Sequence, residues 1–179
     1  MIGPWLTDAE QEAWRGMLRM SARLNAALGH DLAAHSELSS ADYAVLVHLT
    51  DEPSGRLRAY ELGQELGWEK SRVSHQVDRM VRRGLVTRER CPSDQRGLFV
   101  ALTDDGRRAL DAAAPAHVAA VRRLFVDRCT PEQLATLVDM SRAVLDALSR
   151  EAPTPPAPDA RGGRTPPDRH RATPPADRS

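Results

Sequence analysis

The chain has 179 residues, 25 Lys+Arg balanced by 25 Asp+Glu, 41% hydrophobic residues and 4% aromatics, a length that fits one domain or one domain with a tail. No stretch approaches the ~18 consecutive apolar residues of a membrane span, and Met1-Ile2-Gly3-Pro4-Trp5 has neither a basic region nor an apolar core for secretion, so a cytoplasmic protein without a membrane partner is expected. Two isolated cysteines, Cys91 and Cys129, exclude a disulfide framework and argue against a structural zinc site, and zero net charge taken over the whole chain argues against nucleic acid.

Thr7-Asp8-Ala9-Glu10 has capping-box spacing and predicts a long first helix carrying Trp14, Met17, Leu18, Leu24 and Leu28, ending near Gly29. Ser39 and Asp42 repeat the signal and open a second helix with Tyr43, Leu46, Val47 and Leu49, which Asp51-Glu52-Pro53-Ser54-Gly55 ends. A short third helix over 58–66 is stopped by Gly67, and a fourth runs from about Glu69 to Arg83 and is stopped by Gly84. The periodicity then changes to β-like runs, Leu85 to Cys91 and Leu98 to Leu102, flanking a turn over Pro92-Ser93-Asp94-Gln95-Arg96-Gly97. Thr103-Asp104-Asp105 starts a long fifth helix, in which Pro115 predicts a kink. Thr130-Pro131-Glu132-Gln133 starts the last helix, with Leu134, Leu137, Val138, Leu145 and Leu148 at helical spacing.

Residues 150–179 contain eight prolines from Pro153 to Pro175 and no Val, Ile, Leu, Met or aromatic residue, so a disordered Pro/Arg-rich tail is expected. It reads as a spacer; the alternative is a basic arm using Arg161, Arg164, Arg169 and Arg171. The remainder is mainly α with a small β-hairpin. Two short helices joined at Gly67 and followed by a hairpin have the layout of a winged helix-turn-helix.

At about 100° per residue, Val73, Val77, Met80 and Val81 share one sector of the fourth helix, the expected buried face. Opposite lie Arg72, His75 and Arg79, flanked by Ser71 and Arg82, with Gln76 and Asp78 at the edges. Residues 70–96 hold eight positive side chains (Lys70, Arg72, Arg79, Arg82, Arg83, Arg88, Arg90, Arg96) against three negative ones (Asp78, Glu89, Asp94), a local excess of five. Arginine suits nucleic acid because its planar fork can bridge two phosphate oxygens or the O6 and N7 of guanine.

The runs Tyr60-Glu61-Leu62-Gly63-Gln64-Glu65-Leu66-Gly67, Ser71-Arg72-Val73-Ser74, Val77-Asp78-Arg79-Met80, Arg83-Gly84-Leu85-Val86 and Asp94-Gln95-Arg96-Gly97-Leu98-Phe99-Val100-Ala101-Leu102-Thr103 closely resemble the MarR family of bacterial transcription regulators. The resemblance covers residues 39–110 by motif, and Asp-x-Arg-Gly followed by Leu-Thr is its most specific part. It implies a winged helix-turn-helix DNA-binding domain over 39–102 and a helical dimerisation region over 5–35 and 103–149. It implies a homodimer, a repressor on a pseudo-palindromic site in double-stranded DNA, with the fourth helix in the major groove and the wing in the minor groove. Carried onto this chain, Arg96 is the wing-tip arginine, and Asp94 is the acid that braces the wing. Ser71, Arg72, His75 and Gln76 are base-edge candidates, Arg79 and Arg82 face phosphate, and Lys70, Ser74 and Arg90 complete the expected DNA-binding set. Trp68-Glu69-Lys70 departs from the family's Ser or Thr cap, and Trp68 reads as a packing residue at the helix-turn-helix corner.

The resemblance also implies an effector, a small phenolic or lipophilic acid, with Trp14, Arg15, Met17 and Tyr43 as candidate lining and Arg15 as the carboxylate's partner. Helical spacing equally explains Trp14, Met17 and Tyr43 as packing residues. A regulator sensing oxidation through Cys91 is a further alternative, as is a winged-helix module that binds protein. No cofactor or metal is expected: His30, Asp31, His35 and Glu37 are close in sequence, but the other histidines are scattered. Nothing resembles G-x-S-x-G, H-E-x-x-H, a P-loop or G-x-G-x-x-G, so no enzymatic activity is expected.

Overall fold

Most of the helices begin on a residue whose side chain accepts from a free backbone N–H of the first turn. The computed structural model describes residues 5–91 and 94–151, without the side chains of 91–97, and the expected tail lies outside the described residues from 152 onward. Helix α1 (Asp8–His35) opens on Thr7, whose hydroxyl accepts the Glu10 N–H at 3.3 Å while the Glu10 carboxylate accepts the Thr7 N–H at 2.7 Å. The helix does not stop at Gly29. A glycine inside a helix costs only about 1 kcal/mol, and the extension buries Leu32 and brings Asp31 to 2.8 Å from Arg123.

Helix α2 (Ser40–Asp51) is capped by Ser39 and Asp42 in the same reciprocal way. Next comes a strand absent from the sequence expectations, β1 (Arg56–Arg58), and then helix α3 (Ala59–Leu66). Gly67 ends α3 with φ +61°, a left-handed conformation that glycine adopts without penalty and that turns the chain sharply toward α4 (Lys70–Arg82). Strands β2 (Val86–Cys91) and β3 (Asp94–Leu102) follow, so the second wing strand starts four residues earlier than Leu98. Helix α5 (Asp104–Leu124) continues through Pro115. Proline deprives the Asp111 carbonyl of its helical partner, but both residues are exposed, a setting in which solvent can satisfy the carbonyl at little cost. A 3₁₀ turn over Val126–Arg128 leads to α6 (Pro131–Glu151), whose Thr130 and Gln133 cap each other.

The sheet is antiparallel with β3 in the middle: Leu57 of β1 faces Val100, and Glu89 of β2 faces Phe99. The chain divides into two units, residues 1–134 and 135–179. In the first, Leu46 and Leu49 of α2, Leu62 of α3, Val73, Val77 and Met80 of α4, Val86, Val100 and Leu110 form one buried core. In the second, the described part of α6 exposes Val138, Met140, Val144, Leu145 and Leu148.

Two contacts hold the recognition region against the rest of the first unit. The Thr103 hydroxyl donates to the Gly84 and Leu85 carbonyls (2.7 and 2.9 Å) and accepts the Gly106 N–H at 3.0 Å, closing α5 onto the start of β2. Gly106 is buried so close to this turn that a Cβ there would collide with the Leu85 carbonyl. The second contact is the Asp42 carboxylate. It accepts the Ser39 N–H and hydroxyl (2.9 and 2.8 Å), the Gln76 side-chain amide (2.6 Å) and the Arg83 guanidinium (2.7 Å). Arg83 also donates to the Glu37 carbonyl at 2.7 Å.

Burial of the Asp42 carboxyl pushes its pKa up, but the hydrogen bonds from Ser39, and the hydrogen bond and charge of Arg83, together outweigh it and hold the group below the usual carboxylate range. A group depressed in the folded state stabilises the fold above its unfolded value and loses that contribution as pH falls through the folded value. Asp42→Asn should therefore destabilise the protein by about 3 kcal/mol at neutral pH, the gap to wild type closing as pH drops below about 4. Urea unfolding at pH 7, 5 and 3 checks this; a constant gap contradicts it. Gly106→Ala should cost about 3 kcal/mol at every pH, measured in the same way, because backbone has to move to admit the methyl group.

Candidate nucleic-acid interface

Helix α4 is anchored from one side only. Val73, Gln76, Val77 and Met80, at i, i+3, i+4 and i+7, are buried. Two of these assignments correct the helical-wheel reading. Val81 is exposed, and Gln76, expected as a base-edge contact, is 2% exposed and bonded to Asp42, so it cannot present to a ligand. Its amide replaces an apolar anchor because the α2 N-terminus places a buried carboxylate opposite it. No local pattern in α4 signals this. The spacing of Ser39 and Asp42 reveals the carboxylate but not what it meets.

The outward face of α4 carries Lys70, Ser71, Arg72, Ser74, His75, Arg79 and Arg82, all exposed. Grooves run along both flanks. One, of about 550 Å³, is lined by Ala41 of α2 with Arg72, His75, Arg79 and Arg82. The other, of about 800 Å³, lies against α3 and the wing strands, lined by Tyr60, Trp68, Val73, Val77, Leu98 and Val100. The helix is therefore a ridge, the shape required of an element that enters a groove in a duplex.

Several of the cations are held in place. The Arg72 guanidinium lies over the half-buried Trp68 ring, 4.3 Å from its centroid, so Trp68 both packs at the corner and orients an exposed arginine. Arg79 donates to the Gln76 side-chain carbonyl. Arg88 pairs with Asp78 at 2.6 Å, tying β2 to α4, and Arg83 with Asp42, so these two charges are partly neutralised within the protein. Arg90 of β2 is exposed. The side chains of Cys91, Asp94 and Arg96, expected as thiol sensor, wing brace and wing tip, lie outside the described residues.

Sequence reasoning missed the cations of β1, since it missed the strand. Arg56 and Arg58 lie over the Phe99 ring, 5.0 and 5.4 Å from its centroid, and Arg56 pairs with Glu89 at 3.2 Å. The candidate effector residues are spread out. Trp14 and Met17 are exposed on α1, Arg15 shares a shallow groove with Arg19 and Arg23, and Tyr43 packs on His117 of α5 with ring centroids 4.3 Å apart. Among the described residues no group of three or more His, Cys, Asp or Glu could hold a metal ion, and no helix is long and apolar enough to cross a membrane.

Known proteins share this architecture. The family model described as MarR family matches residues 36–97. HosA of Escherichia coli O111:H-, a transcriptional regulator, is 31% identical over 111 residues, 62% of this chain and 80% of its own length. The HTH-type transcriptional regulator YkoM of Bacillus subtilis is 29% identical over 102 residues, 57% of this chain, and the match spans 65% of YkoM. The crystal structure of Sco3205, a MarR family transcriptional regulator from Streptomyces coelicolor, in complex with DNA, superposes with a TM-score of 0.76 at 41% identity, covering 80% of this chain and 94% of that one. A cationic ridge on a winged helix-turn-helix, and this degree of identity over most of a relative's length, give one conclusion: the chain belongs to the MarR family of transcriptional regulators.

Proposed function

We propose that this protein regulates transcription as a homodimeric repressor that binds a pseudo-palindromic site in double-stranded DNA. Helix α4 enters the major groove and the wing reaches the adjacent minor groove. The observation that carries this reading is the composition of the α4 ridge, whose exposed side is made of hydrogen-bonding and cationic groups and whose apolar residues are mostly spent on the core. Ser71, Arg72, Ser74 and His75 meet base edges, while Lys70, Arg79, Arg82 and Arg90 meet phosphate, with Arg96 at the wing tip and Asp94 bracing it. Regulation here is by binding and not by catalysis, and the cytoplasm is its place of action.

The second subunit covers apolar side chains that the monomer leaves in water. Trp14, Met17 and Leu18 of α1 and, within their own unit, Val144, Leu145 and Leu148 of α6 are exposed at densities unusual for a solvated helix. Twofold pairing sets the two α4 helices about one DNA turn, ~34 Å, apart. An effector belongs to the same reading. Among the described residues the His117 Nδ1 is buried without a hydrogen-bond partner beside the Tyr43 ring, and an acid entering the α2–α5 junction would supply one.

Selection of duplexes from a random pool, followed by anisotropy titration, tests the reading. The affinity for the selected duplex should fall about a thousandfold between about 50 and 200 mM salt, and Arg72→Ala should weaken it about tenfold while leaving the dimer intact. A flat salt response, or a pool from which nothing is enriched, rejects DNA binding. Trp68→Leu should cost about fivefold and relax discrimination at the base that Arg72 reads, through loss of the stacked guanidinium. Repeating the titration with phenolic carboxylates tests the effector: a midpoint shift that His117→Ala abolishes supports it, and unchanged midpoints across the set remove it.

A further inference from the structure

We propose that Asp42 is a positioning residue for the DNA face: its buried carboxylate, acting through the Gln76 amide, sets the conformation in which Arg79 is presented. The proposal rests on the DNA-binding reading above. It concerns a residue on α2, outside the helix that meets DNA.

The chain of contacts has a direction. A carboxylate can only accept and a guanidinium can only donate, so an amide between them is oriented one way: the Gln76 Nε2 donates to Asp42 at 2.6 Å, and its Oε1 accepts from Arg79. Both Asp42 and Gln76 are buried, at 3% and 2% exposure, whereas Arg79 is exposed. A buried amide without partners is expensive, and its two available partners are an acid fixed at a helix N-terminus and an arginine that has to reach toward it. Arg79 is otherwise a long side chain free to sample many rotamers. Holding it before DNA arrives removes part of the ordering cost of binding.

The same carboxylate also fastens the corner between α1 and α2. Ser39 and Arg83 bind it, and Arg83 reaches on to the Glu37 carbonyl. A shift of the α2 N-terminus relative to α4 therefore withdraws the acceptor that orients Gln76, and Arg79 loses its hold. If Asp42 served only to cap α2, its link to Gln76 would be dispensable for binding.

The test uses the full chain and the duplex that wild type selects from a random pool, titrated at one salt concentration. Gln76→Met keeps the side-chain volume, the Ser39 cap and the Arg83 pair but cuts the link. It should leave the dimer folded and weaken binding about tenfold. Arg79→Ala should then cost clearly less in the Gln76→Met background than in wild type, because the two changes remove one coupled unit. Nitrogen-15 relaxation of the Arg79 guanidinium in the free protein reads the link without DNA, and it should be restricted in wild type and freed in Gln76→Met. Wild-type affinity in Gln76→Met, strictly additive losses, or equal Arg79 mobility in the two proteins overturns the proposal while leaving DNA binding in place. Failure of wild type to enrich any duplex removes the DNA reading and this proposal with it.

Discussion

The interface depends on a single asymmetry of α4. A helix of thirteen residues with so many cations gains little from its own hydrogen bonds in water, and most of its stability has to come from packing. That packing is supplied by Val73, Val77 and Met80 against Leu46, Leu49 and Leu62. Because these anchors lie within one sector, the opposite sector is excluded from the core by geometry and can carry any polar group that function requires. Truncating Met80, which is fully buried, would remove about 2–5 kcal/mol of packing and free the helix as a whole. The cationic face and the core are therefore the two sides of one constraint.

Gln76 is where that division is broken, and the break is compensated. A polar side chain in the buried sector is tolerated only because Asp42 stands opposite it, and Asp42 stays ionised there only because Ser39 and Arg83 supply further donors. The network lies between the α1–α2 corner and the recognition helix. Around Thr103 and Gly106 a second close approach fixes the other end, where the β2–β3 hairpin meets α5. Between them these two polar junctions orient α4 and the wing with respect to α1, α2 and α5, of which α1 and α5 lie in the expected dimerisation region.

Much of this was legible from local chemistry. Capping residues marked the starts of α1, α2, α5 and α6, Gly67 marked the turn before α4, and the 3.6-residue period separated most of the α4 anchors from its exposed arginines. What stayed illegible is what arises from contacts distant in sequence. Strand β1 is three residues long, too short for an alternating pattern, and exists because β3 offers it a partner. The pairing of Arg83 with Asp42 spans 41 residues, and that of Gln76 with Asp42 spans 34. Gly29 looked like a stop because the gain that carries α1 past it, the burial of Leu32 and the pairing of Asp31 with Arg123, lies in tertiary structure.

The balanced net charge now has a physical reading. The excess of five positive charges over residues 70–96 survives internal pairing: Arg88 with Asp78 is already balanced within the segment, and the engagement of Arg83 by Asp42 from outside it is offset by that of Glu89 by Arg56. The remaining exposed cations of α4 and β2 lie on the ridge and the wing, while the compensating acidic residues lie elsewhere in the chain. Of the 25 basic and 25 acidic residues, eight and three lie within 70–96 and 17 and 22 outside it, and charges beyond about a Debye length, ~8 Å at physiological salt, contribute weakly to the field at α4. In the proposed reading α4 and the wing are the face that meets DNA, so a neutral total, which at first argues against a nucleic-acid partner, is compatible with one because phosphates respond to the local field.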